Sequence, residues 1–543
     1  MNVVPEPLPG GSALAGDYIH QYERVGHLYG GDFRSRESRA ERAEWLDRTG
    51  SLRADRAEVA AALRDYNGKH NAHEEVLRSI ELLEQPDTLV VTGGQQSGLF
   101  TGPLFVAYKA ITVIQAAREA AEQLGRPVVP LFWIAGEDHD WDEVNHTYVL
   151  NRSGEISRIK LDRGDGPRSP VSQISVDAES WQQAVEQLDG LLQDSEFKPQ
   201  LMELVTAAAE SAGNMTEAFA KLMGSLFGQF GLILLDSADP ALRRLEAPMF
   251  TSIIERNDEL EAAYLAAAEQ ITASGYELQA DVTPGNANLF YIHEGARLLL
   301  HKEEGQFTDR KGTVSFSREE LLKQLENHPE RFSNNVLTRP LMQDYLLPVL
   351  ATVLGQGEIA YWAIPQQAFR VLDGQMPLIL PRMSFTVIEG TLKKHMDKYG
   401  LTFTDVQGGL DNKRKEWLSA QDELRLEDRF EEIRTVFSGM YEPLIEQLGS
   451  IQAGLLKLGN NNKDKILDQI SFLEAKALDA LEKQNEAALR QWERIELSLI
   501  PLGKLQERVY NMMYYLNRYG LGWLEDVMAV PADFSGTHRI IYM

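Results

Sequence analysis

The chain has 543 residues, 43% hydrophobic and 25% charged, with 54 basic and 81 acidic side chains and a net charge of -27. That length holds a large core and more than one domain, and the acidic balance argues against a general nucleic-acid binder, whose affinity comes from Lys and Arg neutralising phosphates. There is no cysteine, which excludes disulfides, zinc–thiolate sites, iron–sulfur clusters and cysteine nucleophiles; simple avoidance of thiols would explain this, as would the handling of a thiol substrate that forms mixed disulfides.

No run approaches the ~20 consecutive apolar residues of a membrane-spanning helix. The amino terminus carries Pro5, Pro7 and Pro9 rather than the basic region and apolar stretch of a secretory signal. The expectation is a cytoplasmic protein with no membrane association. Gly10-Gly11 and Gly30-Gly31 punctuate the entry, and residues 12 to 85 have helical spacing. Residues 1–86 therefore read as a helical segment packed on a core that spans 87–400.

An apolar run of strand length, Thr88 to Val91, feeds a loop rich in Gly and Gln; a helix follows, and a second run, Val128 to Ile134, ends in an acidic turn with histidine. This β-loop-α-β unit requires parallel strands with both polar loops at their carboxyl ends, where open α/β sheets bind ligands. Insertions are expected at about 147–228 and 275–335, the second holding an antiparallel meander over 287–316. Gly231 to Asp236 reads as a third buried strand, 241–274 as a helix, 317–327 and 340–354 as helices, and Pro377 to Phe385 as a last strand. Strands alternating with helices predict an α/β fold, a doubly wound parallel sheet.

From Leu426 the apolar positions take the three-and-four spacing of a coiled-coil seam. Gly459-Asn-Asn-Asn462 reads as a break, and a second seam begins at Ile466. The pattern predicts an antiparallel α-helical coiled-coil arm over 401–500, kinked or split at Pro443, with dimerisation through its apolar strip. The aromatic tail, 501–543, is expected to return to the core.

Two polar turns carry the candidate chemistry. Gly93, Gly94, Gly98 and Gly102 allow close backbone approach, and Gln95 and Gln96 add amide donors. Thr101-Gly102-Pro103 has the residue types of a helix start, where anions bind; a tight strand–helix turn also uses glycine. The segment is neither a Walker-type phosphate loop nor a dinucleotide fingerprint. After the second strand, Glu137, Asp138, His139 and Asp140, with Asp142, Glu143 and His146, could ligate a metal, orient an amine or move a proton, or merely cap the next helix. Neighbouring carboxylates favour a charged His139. Arg339 and Arg382 could clamp a carboxylate or phosphate; Gln343, Glu358, Tyr361, Trp362 and Ser384 lie in the same mixed segments.

Taken together, Thr-Gly-Gly-Gln-Gln-Ser-Gly-Leu-Phe-Thr-Gly-Pro at 92–103, Phe-Trp-Ile-Ala-Gly-Glu-Asp-His-Asp at 132–140, Arg-Pro-x-x-Gln-Asp at 339–344, Gly-Gln-Gly-Glu-Ile-Ala-Tyr-Trp at 355–362 and Leu-Gln-Glu-Arg-Val-Tyr-Asn at 505–511 resemble the bacillithiol biosynthesis cysteine-adding enzyme family. The resemblance implies a Rossmann-like core related to class I aminoacyl-tRNA synthetases, with connecting-peptide insertions and a dimerising arm. It implies a ligase that joins cysteine to the amine of glucosaminyl-malate. By analogy, a nucleotide (ATP or ADP) would lie against Gly98, Thr101, Gly102 and Ser384, though the first loop lacks histidine and Arg382-Met383-Ser384 lacks the lysine pair of the synthetase signature. Asp138 and His139 would be catalytic; Gln95, Gln96, Arg339, Gln343, Glu358, Tyr361, Trp362 and Arg382 would bind substrate; no metal is expected. A metal-dependent hydrolase or transferase built on Asp138, His139 and Asp140, or a nucleotide-binding assembly protein, are the competing readings.

Overall fold

The computed structural model describes residues 2–7, 11–164 and 166–543; Pro9 and Gly10 of the expected entry lie outside them. It divides into two units, Met1–Val387 with Lys504–Ile541, and Ile388–Gly503 with Tyr542–Met543.

The first unit is built on five parallel strands: β1 (Leu89–Gln95), β2 (Val128–Ile134), β3 (Ile233–Asp236), β4 (Val349–Leu354) and β5 (Leu378–Pro381). Their spatial order is β3-β2-β1-β4-β5, all pairs parallel, the doubly wound Rossmann-type arrangement. The chain winds from β1 through β2 to β3, then crosses back to β4 and β5. The direction therefore reverses between β1 and β4, and ligands bind outside the carboxyl ends at such a reversal. All five strands are buried almost throughout, as continuous apolar runs covered on both faces must be.

The first strand runs further than its apolar stretch, taking in Gly93, Gly94 and Gln95, which pair with Phe132, Trp133 and Ile134. A side chain at Gly94 would meet the Trp133 carbonyl at 2.5 Å, so only glycine lets the strand continue at that spacing. The expected helix over 340–354 is instead helix Arg339–Leu346 followed by β4. A short continuous apolar run has no period to separate strand from helix; Pro348, which disfavours a helical residue before it, marks the change. The span 377–385 likewise holds two strands, β5 and Ser384–Ile388, and the latter belongs to a separate sheet in which His538–Tyr542 lies between it and Asn2–Glu6. Residues 241–274 form two helices, Pro240–Glu255 and Asn257–Ala273.

The insertions hold the hairpin His146–Leu150 with Ile156–Lys160 and an antiparallel sheet whose strands span Asn286 to Asn334. The tail 504–541 belongs with the core unit.

In the second unit, helices Leu426–Ile451 and Ala453–Gln484 pack antiparallel. Tyr441 donates to Asn462 at 2.7 Å, Lys463 pairs with Glu442 at 2.9 Å, and Arg434 pairs with Glu474, so partners descend one helix as they climb the other. The turn is at Gln452, whose backbone is extended (φ -155, ψ 126); Gly459 to Asn462 lie inside the second helix. Glycine and asparagine cost a helix only ~1 kcal/mol or less each, which packing overrides. A side chain at Gly459 would meet Ile445 at 2.8 Å, so this glycine permits the close helix approach. The first helix continues through Pro443 without splitting. The unit begins at Ile388, ahead of helix Gly390–Tyr399, earlier than the expected start of the arm at 401.

Candidate active site

A cavity of about 480 Å³ opens at the reversal between β1 and β4. Gly94, Gln95 and Gln96 come to it from the end of β1, Ala135 and Asp138 from the turn after β2, Gly355 to Glu358 from the turn after β4, and Arg382 from the end of β5. The two polar turns meet here: the Gln96 amide donates to Asp138 at 2.7 Å and to Glu143 at 2.8 Å. Asp138 uses its other oxygen for the amides of His139 (2.7 Å) and Asp140 (3.3 Å), which fixes the turn and aims the carboxylate.

Sequence reasoning missed the residue at the centre. Lys109, buried on helix Phe105–Leu124, donates to the Gly94 carbonyl (2.8 Å), the Gln95 side chain (3.0 Å) and Glu358 (2.6 Å). Burial pulls the Lys109 ammonium below its ordinary range, with Glu358 opposing. Burial alone would raise Glu358; Lys109, the Gly355 amide and Arg339 outweigh it and hold the carboxyl below its usual value. The pair stays ionised and pins Gln95, β1 and the start of helix Gln356–Trp362 to one another. The signal was present: helix Phe105–Leu124 is apolar on every face over its first half, and a lysine inside such a helix must have a partner.

Arg339 donates to the Tyr361 hydroxyl at 3.1 Å. Arg382 makes a bidentate pair with buried Glu507 at 2.6 and 3.1 Å; burial, which lowers a guanidinium, is outweighed by that carboxylate. The cavity wall carries four cations, Lys109, Arg339, Arg382 and Arg508, against two acids, Asp138 and Glu358. In a chain of net charge -27, this surplus marks a seat for an anion.

His139 does not line this cavity but a second chamber of about 790 Å³ that shares Ala135, Asp138, Gln279, Val336, Arg339 and Tyr361 with it. The expected charged form is overturned. Burial first, and then Arg297, lower the His139 pKa against the pull of Asp138 and Asp140. Arg297 donates to Nδ1 at 3.0 Å and itself lies over Phe290, so the ring is neutral with its proton on Nε2. A ring held this way donates a hydrogen bond and does not take a proton at Nδ1.

Other expected positions lie off the cavity. Gln343 is buried and donates to Thr92 at 2.9 Å; Trp362 is fully buried; Ser384 pairs with His538 at 2.8 Å. Gly98, Thr101 and Gly102 are buried too. The helix expected at 101–103 begins at Phe105, because Phe100, Thr101 and Gly102 adopt left-handed backbone (φ 50, 77 and 70). Asn511 holds that backbone by donating to the Phe100 and Gly102 carbonyls at 2.8 Å each, and Leu104 donates its amide to the Tyr510 carbonyl. The turn is thus sealed by the 510–511 segment. Glu137, buried, pairs with Arg243, which also binds Glu246, a structural network. His146 starts a hairpin strand beside Asn145. Among the described residues no three His, Asp or Glu side chains gather as candidate metal ligands, and no helix is long and apolar enough to cross a membrane.

Comparison with known proteins agrees along the whole chain. The family described as "Bacillithiol biosynthesis BshC, N-terminal Rossmann-like domain" matches residues 1–383, and its "C-terminal coiled-coil domain" matches 385–543. A Geobacillus kaustophilus protein named "Putative cysteine ligase BshC" is 36% identical over the full length of both chains. Relatives of the same name from Bacillus cytotoxicus and Bacillus cereus are 37% and 36% identical over 90% of each chain.

Proposed function

From the premise that the chain belongs to the bacillithiol biosynthesis BshC family, we propose that it joins cysteine, through an amide bond, to the amine of glucosaminyl-malate in the cytoplasm, the last step of bacillithiol synthesis. The observation that carries the reading is the cationic cavity with Asp138 at its edge. Its ligands would bring carboxylates to the cations and one ammonium to the acid.

A free carboxylate does not yield to an amine, so the cysteine carboxylate has to be activated as an adenylate or acyl phosphate; ATP is the activator we propose. The cavity's cations fit such an anion, whereas the sealed Gly98–Gly102 turn does not. In this reading Asp138 first takes a proton from the bound ammonium, the freed amine attacks the acyl carbon, the C–O bond to phosphate breaks as the C–N bond forms, and the second nitrogen proton leaves with the departing phosphate. His139, neutral, donates from Nε2 toward the oxygen that gains charge. Lys109 and Glu358 keep Gln95 in place. Incubating the purified protein with cysteine, glucosaminyl-malate and ATP should give a product whose mass equals cysteine plus glycoside less water; absence of that product with every nucleoside triphosphate tried would sink the proposal.

We read the arm as the contact between two copies. Ile433, Val436, Met440 and Leu444 stand exposed (Met440 at 74%) at intervals of three and four, one strip of one helix. Met440→Glu should halve the mass measured by light scattering; an unchanged mass would reject the assignment.

A further inference from the structure

We infer that Arg508 reads the malyl carboxylates of the acceptor, so that glucosaminyl-malate lies with its malyl group at Arg508 and its sugar amine at Asp138. The inference rests on the ligase reading above. Two of the cavity's cations are engaged by other anions: Lys109 by Glu358, and Arg382 by both oxygens of Glu507. Arg339 gives one nitrogen to Tyr361. Arg508 is exposed and, among the described residues, its guanidinium has no hydrogen-bond or ion-pair partner. Its base is rigid. It ends the single turn Gln506–Arg508, in which buried Gln506 accepts from the Val387 amide (2.8 Å) and donates to its carbonyl (3.0 Å), while Glu507 is locked to Arg382. A fixed turn that presents an unpaired guanidinium at the wall of an open cavity is suited to bidentate binding of a carboxylate.

The sheet sets the polarity. Arg508 adjoins the Glu507–Arg382 pair at the end of β5, whereas Asp138 follows β2, and β1 and β4 lie between them. At ~4.8 Å per strand the two ends stand roughly 14 Å apart. Glu358 is neutralised by Lys109, so Asp138 is the acid left for an ammonium. The reverse orientation would set ammonium against guanidinium and carboxylate against carboxylate.

The test is steady-state kinetics of the full chain as wild type, Arg508→Ala and Arg508→Lys. Each is assayed on glucosaminyl-malate and on the glucosaminyl-lactate analogue, which lacks one carboxylate. In wild type the analogue should raise KM about tenfold, the equivalent of one charge-assisted hydrogen bond. Arg508→Ala should raise KM for glucosaminyl-malate by a similar factor, leave the KM of cysteine and ATP unchanged, and no longer discriminate the analogue; Arg508→Lys should fall between. Independent, multiplying effects would overturn the inference, as would a change confined to the KM of cysteine or ATP. If wild type turns over nothing, the ligase reading fails and calorimetric binding of the two glycosides decides this point: a preference for the dicarboxylate that Arg508→Ala abolishes supports it, and no preference overturns it.

Discussion

Replacing Lys109 by methionine removes the charge that Glu358 was folded against. Lys109 is 1% exposed and Glu358 24%, so the orphaned carboxylate is only partly rehydrated. Breaking a buried pair from one side costs ~3–5 kcal/mol. The partial exposure of Glu358 and the cavity water available to Gly94 and Gln95 place Lys109→Met near the low end, about 3 kcal/mol. Adding Glu358→Gln removes the stranded charge while keeping an oxygen for the Gly355 amide, which now bonds Glu358 at 2.8 Å. The double variant should therefore regain about 1–2 kcal/mol over Lys109→Met, a non-additivity typical of residues in contact. Urea unfolding midpoints at constant slope measure this. Both variants should also lose turnover, because Gln95 loses the ammonium that positions it. If single and double variants unfold at the same midpoint, Glu358 is not held in place by Lys109, and the account of the centre of the site is wrong.

Other perturbations reach different parts of the molecule. His139→Gln keeps an acceptor for Arg297 and a donor at the Nε2 position, so turnover should fall less than about tenfold, while Asp138→Asn should cost roughly 10²–10⁴; equal large losses would make His139 a proton carrier after all. Burial pushes Asp236 up to about 7. A carboxyl raised in the folded state contributes stability that is present below its ordinary pKa and fades as pH climbs through 7. Asp236→Asn, which keeps an oxygen for the Ala238 amide, should gain on wild type in melting temperature from pH 5 to 8; a constant difference across that range counts against it. Gly459→Ala should destabilise the arm by about 1–2 kcal/mol despite alanine's better helix propensity, and Ile445→Ala in the same chain should recover part of that loss, read by thermal unfolding of the helical signal.

The parallel unit, the meander and the two-helix arm were legible because each has a period or a strand-length run with polar ends. What stayed hidden is where tertiary packing overrules a local cue. Gly459 looked like a turn and is a contact point; β4 looked helical because an apolar run buried on both faces carries no alternation; His139 looked charged because its sequence neighbours are acidic, whereas burial and then Arg297, over 150 positions away, disfavour the charge. The Gln96–Asp138 contact was foreseeable from the βαβ unit alone. Lys109 was not singled out because a single lysine in a helix ordinarily faces water, and only its fully apolar surroundings distinguish it.

The sheet in which His538–Tyr542 separates Asn2–Glu6 from Ser384–Ile388 bears on synthesis. A ribosome delivers Asn2–Glu6 more than 500 residues before its hydrogen-bonding neighbour His538–Tyr542. During that interval two strands present bare edges that cannot pair as they do in the finished sheet, and bare edges recruit other chains. A nascent chain stopped just short of His538–Tyr542 should therefore clump even though the five-stranded sheet is already encoded, while a short peptide matching 538–542, supplied in trans, should relieve it.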